Sequence, residues 1–429
     1  MAGYGSSLDG QTARRRASPG DRTGGEIAMV MNAFQFTGTP AIHFGSGMVE
    51  KLVDALPKGT QRILFVMGGF QRTNAEHWKR IAASLEASRI TYETVHIHQE
   101  PTVEWVDEVV DRFRSRNGNA QQAIDAVVAI GGGSAMDAGK AVSAMLPTEP
   151  GDTILNYLEG QPAYRLHSGS KVFFAAVPTT SGTGSEMTKN AVISIPGGYK
   201  RSLRHDRFIP DAAILDARLT ISCPISVKAA SGLDALTQLI ESYVSTKASP
   251  LTDALALSGI EAASKSLVHI CTTAAEDVSL HEQMAYASML SGITLAHAGL
   301  GLVHGFASPL GGMFPIPHGV ICGTLLAEAT KRNLGALNVE AGETAALARS
   351  KYAAVGAILT GHDKRDTDGS CTRLVSVLEE WTAQLNIPRL GAYGVNANNI
   401  DAVVNAADNK QSPVQLDKTA MRDILLARL

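Results

Sequence analysis

The chain has 429 residues, more than one ordinary core accommodates, so two domains are expected. Its composition, 45% hydrophobic and 18% charged, is that of a globular protein, and its net charge of −3 gives no electrostatic basis for nucleic acid or an acidic membrane as partner. No apolar run is long enough to span a bilayer, and four widely spaced cysteines (Cys223, Cys271, Cys322 and Cys371), with no CxxC, read as reduced thiols of a cytoplasmic protein.

Residues 1–31, rich in Gly, Ser and Arg, bury too little apolar surface to offset their ordering entropy and are expected to form a disordered extension. Arg14, Arg15 and Arg16 suggest a transit peptide, but Asp9, Asp21 and Glu26 argue against one. From about Phe34 the pattern becomes regular. "AIHFG" reads as a strand, "SGMVEKLVDALP" as a helix and "RILFVMG" as a buried strand. "AEHWKRIAASLEAS" is a helix, "ITYETVHIH" a strand and "VEWVDEVVDRFRSR" a helix. "AIDAVVAIGGGSAMDAGKAVSAML" reads as strand, glycine turn and helix. Strand-like runs follow at "VFFAAVPTT", "NAVISIP" and "AAILDA". This alternation predicts a parallel sheet covered on both faces, an α/β domain over residues 32–218. After about Thr220, long apolar-periodic stretches dominate, such as "VKAASGLDALTQLIESYVS" and "LHEQMAYASMLSGITLAHAG", and predict an all-α domain over residues 219–429. A cleft between the two is the expected substrate site.

Four segments carry chemistry. Gly131, Gly132 and Gly133, with Ser134, follow a buried strand and open a helix. There the backbone can approach a phosphate closely and the helix N-terminus offers free amides. Asp137 and Lys140 either orient this loop or contact a cofactor. "VPTTSGTGSEMT" supplies Thr179, Thr180 and Thr183 among its small donors, and reads equally as a ligand loop or an elaborate turn. In "GLDALTQLIESY", Asp234 and Gln238 lie one helical turn apart. Further on, "GLGLVHGFASPLGGMFPIPHG" holds His304, in an apolar helical run ending near Pro309, and His318, opening the next helix after Pro317. Spacing leaves two readings of this set: ligands for a catalytic metal, or hydrogen-bonded histidines beside a solvated stripe of Asp234, Gln238, Glu241 and Ser245.

In this order, "GGGSAMDAGK", "PTTSGTGSE", "DALTQLIE" and "GLGLVHGFASPLGGMFPIPHG", with "AIHFGSG" and "FIPDAAILDARLT", resemble the signature stretches of the iron-containing (group III) alcohol dehydrogenase family, from about Phe34 to the C-terminus. The resemblance implies a dehydroquinate-synthase-like fold, a nucleotide-binding α/β domain followed by a helical one, and a homodimer. It also implies NAD(P)-dependent interconversion of a small-molecule alcohol with its aldehyde or ketone. The family metal, iron or zinc, is held by an Asp, a His four residues later and two further histidines. Asp234, His304 and His318 match three of these, and Gln238 stands at the fourth. Ser308 stands where many members carry another histidine near the substrate. An amide is a weaker donor than imidazole, so a weakly held or absent metal is expected, with Gln238 or water completing the shell. His297, two turns before His304 if the helix is continuous, lies too far away to substitute.

Hydride transfer without a metal still needs the developing oxyanion stabilised and a proton supplied; His304, His318 and Lys200 are the candidates. Lys200 matches a family lysine near the cofactor. Relatives that use NAD commonly carry an Asp where this chain has Gly68. Its loss, with Arg72 nearby, favours NADP over NAD. The alternatives are metal-free enoate reduction of the maleylacetate-reductase kind, a nucleotide-binding homologue without redox turnover and, on fold alone, a lyase of the dehydroquinate-synthase type.

Overall fold

The computed structural model describes residues 33–114, 123–195 and 199–429, so the expected extension at 1–31 lies outside the described residues. Eight strands precede the helical half: β1 (Ala41–Phe44), β2 (Arg62–Met67), β3 (Thr91–His96), β4 (Ala126–Gly131), β5 (Phe173–Pro178), β6 (Asn190–Ile195), β7 (Tyr199–Arg204) and β8 (Ala212–Leu215). Six of them form one sheet in the order β1-β8-β5-β4-β2-β3, every pair parallel. The helices between them are α1 (Phe70–Thr73), α2 (Ala75–Ala87), α3 (Val103–Phe113) and α4 (Gly133–Met145).

The continuous apolar runs of the central strands are explained by burial on both faces. On β2, Leu64 and Val66 face a core completed by Val106 and Val110 of α3 and Val142 of α4. Ile63, Phe65 and Met67 face the opposite core, with Ile81 and Leu85 of α2. The chain leaves β2 toward the β3 edge, then crosses back to place β4 on the other side of β2. Strand order therefore reverses between β2 and β4, and open α/β sheets bind ligands beyond the carboxyl ends of such a pair. Here those ends are Gly68 and Gly131: the Gly68 amide donates to Ile130 O at 3.2 Å.

Three local expectations change. "SGMVEKLVDALP" folds as a 3-10 helix, Met48–Ala55, interrupted by non-helical angles at Lys51. "NAVISIP" does not join the parallel sheet: β6 pairs antiparallel with β7, a strand the sequence pattern did not mark. The helix carrying His304 runs through Pro309 to Met313.

The helical half contains α5 (Ile225–Val244), α6 (Pro250–Cys271), α7 (Val278–Ala298), α8 (Leu302–Met313), α9 (His318–Val339), α10 (Glu343–Thr360), α11 (Thr367–Gln384), α12 (Ile400–Ala406) and α13 (Lys418–Leu426). Helix α5 is buried almost all round and packs against α6, α7 and α9. A 99° bend separates α7 from α8 at Gly299–Gly301, where Gly299 takes a positive φ of 73°. Among the described residues no single helix is long and apolar enough to cross a membrane.

Candidate active site

The glycine turn lies at the switch point of the sheet. No side chain caps the N-terminus of α4, so its first amides remain available to an anion. The turn requires glycine for close approach rather than for unusual dihedrals. A Cβ on Gly131 would lie 2.6 Å from Ala135 Cβ and 3.3 Å from Gly68 N. On Gly132 it would meet the Thr180 side chain at 3.3 Å, and on Gly133 that of Thr183 at 3.0 Å. The Thr179 amide donates to Gly131 O at 2.8 Å. The two loops expected to bind a cofactor are therefore in direct contact, with Ser134 in the first turn of α4.

Asp137 and Lys140 organise this region from beneath. Asp137 accepts from Ser185 Oγ at 2.7 Å and from the Val192 amide at 3.1 Å. Burial raises its pKa, partly offset by Lys140. The buried Lys140 ammonium donates to Ser185 O, Thr188 Oγ1 and Asn190 O at 2.8–3.1 Å, and burial brings its pKa down to about 8. Of the two roles open to these side chains, both are occupied in orienting the loop.

That loop then reaches the helical half. The Gly182 carbonyl accepts from Ser291 Oγ of α7, and the same hydroxyl lies 2.7 Å from Gln238 Oε1 of α5. Gln238 is one turn beyond Asp234, so a chain of polar contacts joins the nucleotide loop to the acid–histidine cluster.

Asp234, His304 and His318 converge although 70 and 84 residues separate the histidines from the acid. Helix α8 brings in His304, and α9 begins at His318. The imidazole Nε2 atoms of His304 and His318 lie 3.4 and 3.5 Å from Asp234 Oδ1. That oxygen is buried and makes no hydrogen bond among the described residues. Cys322, one turn after His318 on α9, completes a group of four donors that all lie within 4.8 Å of one another. Behind His304, Glu241 Oε2 accepts from Nδ1 at 2.7 Å, while Glu241 Oε1 accepts the Val303 amide at the start of α8 at 2.6 Å. This carboxylate fixes the His304 tautomer, leaving Nε2 to face the cluster, the usual arrangement behind a ligating histidine.

The electrostatics are those of a tightly coupled set. Burial disfavours charge on Asp234, but His318 and His304 outweigh it and its pKa is lowered. Burial also opposes charge on His304, yet Cys322, Glu241 and Asp234 hold its pKa well above 6.5. His318 is lowered by burial, with Asp234 compensating in part. Burial and the Asp234 carboxylate push the Cys322 thiol up to about 12.

Lys200, on β7, pairs with Glu100 at 2.7 Å and brings its Nζ to the Gly311 turn of α8. Near Gly68, Arg72 is exposed, has no ion-pair partner among the described residues, and lies about 4.0 Å from the space beside Gly69. His297 is turned away from the cluster. Its Nδ1 contacts Ile293 O, its Nε2 accepts the Thr37 amide, and its ring stacks on Phe36 at 3.8 Å. The bend at Gly299 divides the helix whose continuity would have set its distance from His304. The sequence pattern missed Cys322 and the role of Glu241. The signal for Cys322 was the H-x3-C spacing of "HGVIC", which places both side chains on one face.

A parallel sheet with a glycine turn at its switch point, joined to a helical half that gathers an acid and two histidines, defines a two-part enzyme of the nucleotide-binding class. The family model for iron-containing alcohol dehydrogenase matches residues 39–217, and that for the Fe-containing alcohol dehydrogenase family, C-terminal, matches residues 228–429. The chain is 30% identical over 408 residues to long-chain-alcohol dehydrogenase 1 of Geobacillus thermodenitrificans, covering 90% of this chain and 94% of that one. It is 29% identical to the NADPH-dependent butanol dehydrogenase of Clostridium saccharobutylicum, over 91% of this chain and 96% of that one. A solved 1,3-propanediol oxidoreductase superposes with a TM-score of 0.80 at 25% identity, over 93% of this chain and all of the other. This chain belongs to the iron-containing alcohol dehydrogenase family: it is an NAD(P)-dependent oxidoreductase that interconverts an alcohol with an aldehyde or ketone.

Proposed function

We propose that this enzyme works with NADP(H), bound by the amides at Gly131–Gly133 and the hydroxyls of Thr179, Thr180 and Thr183, with its nicotinamide aimed at the cleft below Asp234, His304 and His318. The observation that carries the reading is the contact of Gly132 and Gly133 with Thr180 and Thr183, on a loop tied through Ser291 to the helix that holds Asp234. Gly68 presents no carboxylate to a 2′-phosphate, and the exposed Arg72 is within reach to pair with one.

The residues present fit a divalent metal. An unsatisfied buried carboxylate oxygen faces two imidazole Nε2 atoms, one of them oriented by a carboxylate from behind. Asp234, His304 and His318 would hold the ion, which supplies Lewis-acid stabilisation of the charge that develops on the substrate oxygen. The chain's own residues do the rest. Glu241 keeps the proton of His304 on Nδ1. Lys200 Nζ, paired with Glu100 beside Gly311 of α8, is the group assigned to offset charge on the substrate oxygen and to exchange a proton with it. The reading includes a cytoplasmic homodimer; free cysteines and use of the cellular nicotinamide pool support the compartment.

The test is to titrate purified protein with NADPH and NADH and then follow nicotinamide absorbance with a panel of aldehydes. Tighter binding of NADPH and turnover of small aldehydes are expected. Binding of neither nucleotide, tighter binding of NADH than of NADPH, or a bound nucleotide that transfers no hydride to any carbonyl overturns the reading.

A further inference from the structure

The donor cluster includes one atom that is not among the acid and histidines matched to the family. Cys322 Sγ lies 3.6 Å from His304 Nε2 and 3.7 Å from His318 Nε2. Asp234 Oδ1 lies 3.4 and 3.5 Å from the same two nitrogens. A tetrahedral ion with metal–nitrogen and metal–oxygen bonds of about 2.05 Å separates its N and O donors by about 3.3 Å, and a metal–sulfur bond of about 2.3 Å lengthens an N–S edge to about 3.6 Å. These four of the six separations follow the tetrahedral edges, the sulfur pair being the longer, and the remaining two lie within 4.8 Å. Hydrogen bonding would draw the carboxylate much closer, as Glu241 demonstrates at 2.7 Å from the same His304. Asp234 Oδ1 is instead left buried without a hydrogen bond, which is costly unless a cation completes the group. Gln238 stands where the family carries its other histidine, and its Oε1 is engaged by Ser291 Oγ.

We propose that Cys322 Sγ supplies the fourth protein donor of an Asp234–His304–His318–Cys322 centre, and that this centre takes zinc in preference to ferrous iron. The inference rests on the metal reading above and replaces the lost imidazole with a sulfur from a different helix. A thiolate is a softer donor than imidazole or carboxylate and favours zinc, which also precedes Fe²⁺ in intrinsic affinity for such sites. On binding, the Sγ–H bond breaks, its proton passes to solvent and a sulfur–metal bond forms, with no change of oxidation state.

The test uses the full-length enzyme purified without chelator, the same protein reconstituted with Co²⁺ or Zn²⁺, and Cys322→Ser. The expected results are a near-ultraviolet thiolate-to-cobalt charge-transfer band in the wild type and its loss in the variant. Zinc affinity should fall roughly 100-fold in the variant, with NADPH titration and circular dichroism unchanged. X-ray absorption of the wild-type zinc protein should give one sulfur at about 2.3 Å, and this decides the matter if the variant does not fold. Cobalt or zinc bound with only nitrogen and oxygen neighbours overturns the Cys322 assignment and leaves the metal reading standing. Uptake of no metal overturns both, while the NADPH titration reports separately on the cofactor site. Preferential retention of Fe²⁺ in competition with Zn²⁺ overturns the selectivity.

Discussion

Glu241 holds His304 from the side away from the cluster, accepting from its Nδ1 and from the Val303 amide. Glu241→Gln removes the negative charge while nearly keeping the shape. It is expected to lower metal affinity or kcat roughly 10–100-fold, with NADPH affinity unchanged, measured by metal and cofactor titration beside steady-state kinetics. In the proposed reading, the exposed Arg72 beside Gly69 meets the 2′-phosphate end of the cofactor. Loss of one charge-assisted hydrogen bond is worth about 1.5 kcal/mol, so Arg72→Ala should raise KM for NADPH about tenfold and leave that for NADH nearly unchanged. Glu186, buried beneath the same loop, makes stability depend on pH. Burial raises its pKa from 4.5 to about 7 in the fold. The folded state therefore binds its proton more tightly than the unfolded chain does. This contribution is complete below about pH 4.5 and is lost as pH rises through about 7. Urea unfolding should show the wild type losing stability relative to Glu186→Gln between pH 5 and pH 7.5, on the order of 2–3 kcal/mol. Lys140 acts in the opposite sense, its contribution being present above about pH 10.5 and lost as pH falls through about 8.

The loop between β5 and β6 couples the two halves through a crossing of two glycines. A Cβ on Gly292 of α7 would lie 2.2 Å from Gly184 O, and Gly184 itself has a φ of 60°. There is no side-chain end to move aside, only backbone. Gly292→Ala should therefore destabilise the fold by about 1–3 kcal/mol and weaken NADPH binding, because the loop must shift to admit the methyl. Chemical denaturation and a cofactor titration check the two parts separately. Much of this region was legible in the sequence. The buried run before Gly131 and the helical period after it determine a strand-turn-helix whatever the rest of the chain does. The antiparallel β6–β7 hairpin was harder to read, because "YKRSLR" is mostly polar and does not stand out as a strand. Pro309 is normally a stop signal, and only the surrounding helical packing shows that α8 continues past it.

At the scale of the whole molecule, the sheet ends on one side in β1, whose Ile42 and Phe44 are 39% and 37% exposed. An edge strand with exposed apolar side chains is a pairing surface unless it is blunted. Light scattering is expected to give twice the chain mass, and Phe44→Lys to shift the population toward monomer. The reversal of strand order at β2 and β4 and the loop contacts with α5 and α7 are the two features on which the proposed placement of cofactor and substrate rests.

The sequence by itself determined a parallel α/β half, a helical half and the glycine turn, while Asp234, His304 and His318 stood out as metal ligands only through the resemblance of their motifs to a family. Each is a local pattern, set by strand and helix periods or by short motifs, and local patterns survive in one dimension. Only the tertiary structure decided that Cys322 joins these three, that Glu241 stands behind His304, that Ser291 engages Gln238, and that His297 turns away to Phe36. Those pairings depend on how α5, α7, α8 and α9 are packed, across sequence separations that periodicity does not encode. A cysteine one turn from a histidine enters a four-donor cluster only when a distant carboxylate is folded against it.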